Sequence, residues 1–384
     1  MTEASAPAQY VLIQSAHRNG RSCARFGDLC APWLSRSIPV STGTSTKRQA
    51  RRRIGKRQSG VTTAIKPLGR LGIVSVPSAS GYRVPKSKNR TDRVSSEGYI
   101  TVNGVAHFYR TVGHGEPFVV LHGGPGMWHD ELFPYFDDLA RDHRVIFYDQ
   151  RGNGRSLMPE ITKENFTVDW LVSDLDELRN AWGFDRLGII GHSWGGLLGM
   201  YYATRHPKRV KRLVLVDAAP INTDLLIQSY RALVDRFPTG EWERLEAMYG
   251  SDAYQAGDPA CLNAAMRLSE GPTFHVPAAR EEYFDLVAFD AVTARNMVAI
   301  AEPAQIIKQR VTVQDDLGKI DCPTLIVHGA EDFIVPEAPR LAQELIPGAA
   351  LAVIPDSGHY PFIEQPEAFT QALRSFIETA AVSD

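Results

Sequence analysis

Ser193 sits between two glycines, in Gly191-His192-Ser193-Trp194-Gly195. An apolar run rich in strand formers, Leu187-Gly188-Ile189-Ile190, precedes it. A run at helical spacing, with Leu197, Leu198, Met200 and Tyr201, follows. A chain that bends sharply from strand into helix strains the residue at the bend and leaves its side chain exposed. Glycines two positions to either side keep side chains out of the crossing. A serine in that place is set up to attack. Its hydroxyl is a poor nucleophile near neutral pH, so it needs a base to take its proton. The base in turn needs an acid to orient it.

Two downstream loops offer these groups. "VHGAEDFIVP" carries Asp332 just past the apolar run 324–329, and "VIPDSGHYPFIEQP" carries His359 just past the run 351–355. The order nucleophile, acid, histidine is the one expected for a serine on a strand-to-helix turn. Glu331 adjoins Asp332, and Asp217 also ends a strand-like run, so either is an alternative acid. His192 and His328 flank other motif residues, while His129, His206 and His275 lie in or beside helical runs. His359 is therefore the expected base.

Attack on an acyl carbon creates an oxyanion, which backbone N–H groups must stabilise. "LHGGPGMWHDEL" (121–132) also follows a strand-like run, and Gly123 and Gly124 let the backbone come close. The expected donors are the amides of Gly124 and Trp194. Gly123, Pro125 and His192 are expected to line the substrate pocket. The alternative for 123–126 is a plain tight turn. No metal site emerges, since H-E-x-x-H and Cys-pair spacings are missing. "RGNGRS" (151–156) matches neither a dinucleotide nor a P-loop pattern, so no cofactor is expected.

These loops need a scaffold. "YITVNGVAHFYRTVG" reads as a hairpin turning at Asn103-Gly104. Strands are expected at 118–123, 144–149, 187–193, 212–219, 324–329 and 351–355. Helices are expected near 129–141, over 167–182 with Thr167 as cap, after Ser193, near 336–346 and around 364–379. This alternation predicts an α/β protein: a mostly parallel central sheet with helices on both faces and ligands at the strands' carboxyl ends. Residues 222–316 interrupt it with helical runs and read as a cap inserted between strands. The division is thus core at 96–221, cap at 222–316 and core again at 317–384.

Residues 1–95 differ in kind. They hold 18 Lys and Arg against three Asp and Glu, whereas the other 289 residues hold 24 against 41. The segment lacks apolar periodicity and reads as a disordered basic extension. It has the composition of an organelle transit peptide or of a tail from a misassigned start; otherwise the expected compartment is cytoplasmic. It lacks interleaved aromatics, so no nucleic-acid partner is expected. No apolar stretch has the length of a membrane span, so no membrane partner is expected either. The four cysteines, at 23, 30, 261 and 322, read as reduced thiols, although Cys23 and Cys30 could bridge.

Three motifs together resemble the α/β-hydrolase superfamily, and within it the proline iminopeptidase group of serine peptidases. They are His122-Gly123-Gly124-Pro125-Gly126, Asp149-Gln150-Arg151-Gly152-Asn153-Gly154-Arg155-Ser156 and Gly191-His192-Ser193-Trp194-Gly195-Gly196. The likeness spans about residues 98–380. It implies a Ser193, Asp332, His359 triad, an oxyanion hole at Gly124 and Trp194, and a structural Asp149 loop whose arginines brace the site wall. It also implies cap carboxylates that bind a substrate's free α-amino group. The cap offers Glu241, Glu243, Glu270, Glu281, Glu282 and Glu302, but lacks the Trp-rich, Glu-containing helix of many members. The expected activity is release of N-terminal residues from small peptides or amides through an acyl-enzyme. The alternatives are a carboxylesterase or lactonase on a small ester, and a non-catalytic binding protein on this scaffold.

Overall fold

The computed structural model describes residues 74–75, 94–133 and 135–381. Apart from residues 74–75 and 94–95, the segment read as a basic extension, with Cys23 and Cys30, lies outside the described residues. Nine strands form one sheet: β1 (Val74–Ser75), β2 (Val94–Val102), β3 (Val105–Val112), β4 (Glu116–Leu121), β5 (His143–Tyr148), β6 (Leu187–His192), β7 (Val210–Val216), β8 (Thr324–Gly329) and β9 (Ala350–Ile354). Their spatial order is β1-β9-β8-β7-β6-β4-β5-β3-β2. The β2–β3 and β3–β5 pairs are antiparallel and all others parallel. Asn103 and Gly104 take positive φ at the β2–β3 turn, the backbone that a two-residue hairpin demands.

Every residue of β6 and β8 is buried. Both lie in the middle of the sheet, and helices cover both faces, which is why these strands read as unbroken apolar runs. The covering helices are α1 (Val168–Ala181), α2 (Trp194–Arg205), α9 (Glu337–Leu345) and α11 (Pro366–Ala381), with the short α10 (Pro361–Glu364) before the last. In α1 the Thr167 side chain accepts from the Trp170 amide, and Leu171, Leu175 and Leu178 face the core.

The stretch near 129–141 departs from expectation. Among its described residues it holds two 3-10 turns, His129–Glu131 and Leu139–Arg141, and no α-helix. Pro134 removes a backbone donor at its centre, and the Asp149 carboxylate takes up the His129 amide and imidazole. Between β7 and β8 come six helices: α3 (Thr223–Val234), α4 (Glu241–Tyr249), α5 (Asp252–Gln255), α6 (Pro259–Glu270), α7 (Pro277–Leu286) and α8 (Ala291–Lys308). They occupy the segment read as a cap.

Candidate active site

Ser193 is the residue between β6 and α2, with φ 51° and ψ −119°. Such a backbone is costly for any residue with a Cβ, and it persists only where its surroundings over-determine it. Here the Ser193 amide donates to the Val216 carbonyl at 3.0 Å, and its own carbonyl accepts from the amides of Gly196 and Ala219. The flanking glycines are steric necessities. A Cβ on Gly191 would stand 2.4 Å from the Gly195 oxygen, and one on Gly195 2.2 Å from the Leu121 oxygen. Gly196 is equally confined, 2.5 Å from the Ala218 Cβ.

Asp332 lies in the turn after β8, and His359 in the loop after β9. The two meet: His359 Nδ1 is 3.0 Å from both Asp332 carboxylate oxygens. Both residues are buried. Burial alone would raise the Asp332 carboxyl, but the charge and hydrogen bond of the His359 ring bring it down to about 2. The other acids weighed from the sequence have other surroundings. Glu331 is exposed. Asp217 accepts from the Gly329 amide at 2.8 Å and lies 3.1 Å from His328 Nδ1. Burial and the neighbouring Asp332 charge push the Asp217 carboxyl well above its usual range. Of this adjacent pair of carboxyls, Asp332 is the one that carries the charge.

His192, beside Ser193, is buried and directs Nε2 at the His359 carbonyl oxygen, 2.9 Å away. Burial favours its neutral form, yet Glu131 outweighs this and raises the imidazole above its ordinary value. His192 thus ties the serine turn to the histidine loop. Pro125 is buried too, and of residues 123–125 only Gly124 is partly exposed. The Gly123 amide donates to the Glu131 carboxylate, which leaves it engaged from behind. A Cβ on Gly123 would come 3.4 Å from that of Ser193, so this loop passes directly over the serine. Gly124 has φ +109° and Trp194 opens α2, whose first amides have no partner within the helix.

The Asp149 loop is the scaffold of this wall. Asp149 accepts from the His129 amide and ring and from the Arg155 amide. Gln150 donates to the His122 oxygen and accepts from the Trp194 indole at 2.9 Å. Asn153 accepts from the Gly126 amide at 2.6 Å. Arg151 forms a buried two-point pair with Asp174, both contacts at 2.7 Å, and Arg155 reaches Asp130 at 3.1 Å.

Parts of the segment read as a cap reach this region. Met297 of α8 lies against Gly126. Arg236, after α3, donates to the carbonyls of Glu331 and Asp332 at 2.9 and 2.6 Å. Of the cap acids, Glu270 accepts from the Tyr360 hydroxyl at 3.0 Å, next to His359. Burial raises its carboxyl, and the nearby imidazole of His359 opposes the rise. Glu282 accepts from Tyr135 at 3.2 Å. Glu241, Glu243 and Glu281 belong to exposed helix faces or rims. Sequence reasoning did not single out Glu131, Gln150, Arg236 or Glu364. Each acts through backbone groups in other loops, and no local spacing signals that. The only carboxylate and imidazole cluster of metal-ligating geometry among the described residues is Asp217, His328 and Asp332, which is part of this same site.

Residues 116–366 match the family model described as alpha/beta hydrolase fold. The chain belongs to that family. Among relatives of this hydrolase, the proline iminopeptidase of Saccharolobus solfataricus is 29% identical over 302 residues, covering 73% of this chain and 92% of its own. That of Clostridioides difficile is 28% identical over 310 residues, covering 73% and 98%. In structure, the esterase RhEst1 from Rhodococcus sp. superimposes with a TM-score of 0.58 at 27% identity, over 75% of this chain and 99% of its own. This α/β hydrolase is therefore proline iminopeptidase-like. Among its described residues no helix is long and apolar enough to cross a membrane.

Proposed function

We propose that this hydrolase is a serine enzyme that works through an acyl-enzyme, with Ser193 as nucleophile, His359 as base and Asp332 as orienter. The observation that carries the reading is the His359–Asp332 pair, buried and hydrogen-bonded at 3.0 Å, at the same sheet edge as a serine held at φ 51°. His359 takes the hydroxyl proton as Ser193 attacks an acyl carbon. Asp332, ionised far below neutral pH, fixes the ring and stabilises its cation. The amides of Gly124 and Trp194 receive the oxyanion. His359 then protonates the leaving group, and water attacks the ester formed on Ser193 to regenerate the enzyme.

The substrate we infer is a short peptide or amide with a free N-terminus. Glu270 supports this, because a partly exposed cap carboxyl whose charge burial disfavours gains most from a cationic amino group beside it. The relatives named proline iminopeptidase support it as well. The likeness to an esterase favours a second reading, a small ester as substrate. A fluorophosphonate probe tests the mechanism: labelling is expected in the wild-type protein and absent in Ser193→Ala. Turnover of a prolyl arylamide against a short-chain aryl ester separates the two substrates. Cleavage of the ester alone refutes the peptidase assignment.

A further inference from the structure

The histidine loop and the cap meet at one carboxylate. Glu364 ends α10, five residues after His359, and is buried. Its Oε1 accepts from the amides of Gly358 at 2.9 Å and Tyr360 at 3.3 Å, which flank His359. Its Oε2 accepts from the amides of His275 at 2.7 Å and Val276 at 2.8 Å, in the cap loop between α6 and α7. The His359 amide itself donates to the Thr273 carbonyl of that loop at 3.0 Å. The amides of 358, 359 and 360 are thus all committed either to the cap loop or to the carboxylate that holds it. The loops also cross too closely for a side chain. A Cβ on Gly358 would lie 2.4 Å from the Thr273 oxygen and 2.8 Å from the His275 nitrogen. Pulling the two loops apart takes two of its four donors from a buried carboxylate and leaves the buried His359 amide without its acceptor, which opposes their separation.

We propose that Glu364 is a positioning residue that locks the cap to the base loop, so that the His359 ring is aligned for Ser193 only while the cap loop is seated. The inference rests on the serine-hydrolase reading above. It makes the cap part of the catalytic apparatus instead of a lid that swings free of it. Glu364→Gln tests it well. The amide keeps the shape, but it must present an NH2 group to one pair of N–H donors, so one of the two loops loses its anchor. A misplacement of about an ångström at the base typically costs ~100-fold in rate.

The expected result is a ~100-fold slower fluorophosphonate labelling of Ser193 in folded Glu364→Gln, with a matching fall in kcat and little change in KM. The His359 Nδ1 proton resonance is expected to shift or broaden. Glu364→Asp keeps the charge and is expected to recover part of the rate. Wild-type labelling rate and an unmoved proton resonance, with only the melting temperature lowered, would overturn the proposal. Hydrogen exchange on the wild-type protein tests it without any variant. The amides of His275, Val276, Gly358 and Tyr360 are expected to open together, and independent opening of the two loops overturns it. A wild-type protein that fails to label at all refutes the serine mechanism itself. A labelled wild type with an equally labelled Glu364→Gln refutes only the lock.

Discussion

Replacing Ser193 by glycine is expected to stabilise the fold relative to replacing it by alanine, reversing the usual order. Both variants lack the hydroxyl, so the comparison isolates backbone strain at φ 51°, ψ −119°. A residue with a Cβ in so sparsely populated a region costs about 1–3 kcal/mol, which glycine avoids. Glycine in turn loses roughly 0.5–1 kcal/mol through the greater freedom of its unfolded chain. The difference leaves the glycine variant ahead by about 1 kcal/mol. For a domain of this size that is a rise in melting temperature of about 2–3 °C. Thermal and urea unfolding of the two variants, neither of which is expected to label with a fluorophosphonate, measures it directly. If the glycine variant melts below the alanine variant, the turn holds no strain worth the name. A bend without strain is then no device for presenting a nucleophile.

Other outcomes follow from the same coordinates. Asp332→Asn keeps the shape but removes the charge and puts an NH2 donor in place of one of the two oxygens facing His359 Nδ1, so the ring tautomer is no longer fixed, and kcat is expected to fall by about 10⁴ with the fold intact; a loss under tenfold refutes the orienting role. Gly195→Ala drives a Cβ to 2.2 Å from a strand carbonyl, and denaturant unfolding is expected to show a loss of about 2–3 kcal/mol. Arg151→Ala takes away the two-point partner of buried Asp174, which keeps Asn103 at 2.9 Å and His107 at 3.5 Å; a loss of about 3 kcal/mol is expected on the same scale, and an unchanged midpoint contradicts it. Burial alone would raise the Asp149 carboxyl, but His129 and its hydrogen bonds bring it to about 2. Its unfolded value is near 3.9, so it stabilises the fold by about 2 kcal/mol above pH 4, and that increment disappears as pH falls toward 2. In acid titrations of stability, Asp149→Asn is expected to lack this part of the decline.

The sequence by itself determined the alternation of strands and helices, because buried parallel strands must be apolar throughout while their covering helices need only one apolar stripe. The run at 324–329 matches β8, and Thr167 caps α1. The crowded glycines around Ser193 were legible for the same kind of reason: a strand turning into a helix at close quarters leaves space for nothing larger. The helix expected near 129–141 failed because the deciding forces are not local. Asp149, some twenty residues away, claims the His129 amide and ring. Only the tertiary structure pairs Asp332 with the His359 ring, since Asp332, Glu331 and Asp217 all sit near strand ends and the sequence does not tell them apart. It alone shows His192 as a buried tie, Glu131 behind the 123–126 loop and Glu364 between the 273–276 loop and the loop that carries His359. Those roles are hydrogen bonds from carboxylates and a ring to backbone groups. Backbone groups are the same at every position, so which of them a side chain will meet is written in the fold and not in residue type or spacing.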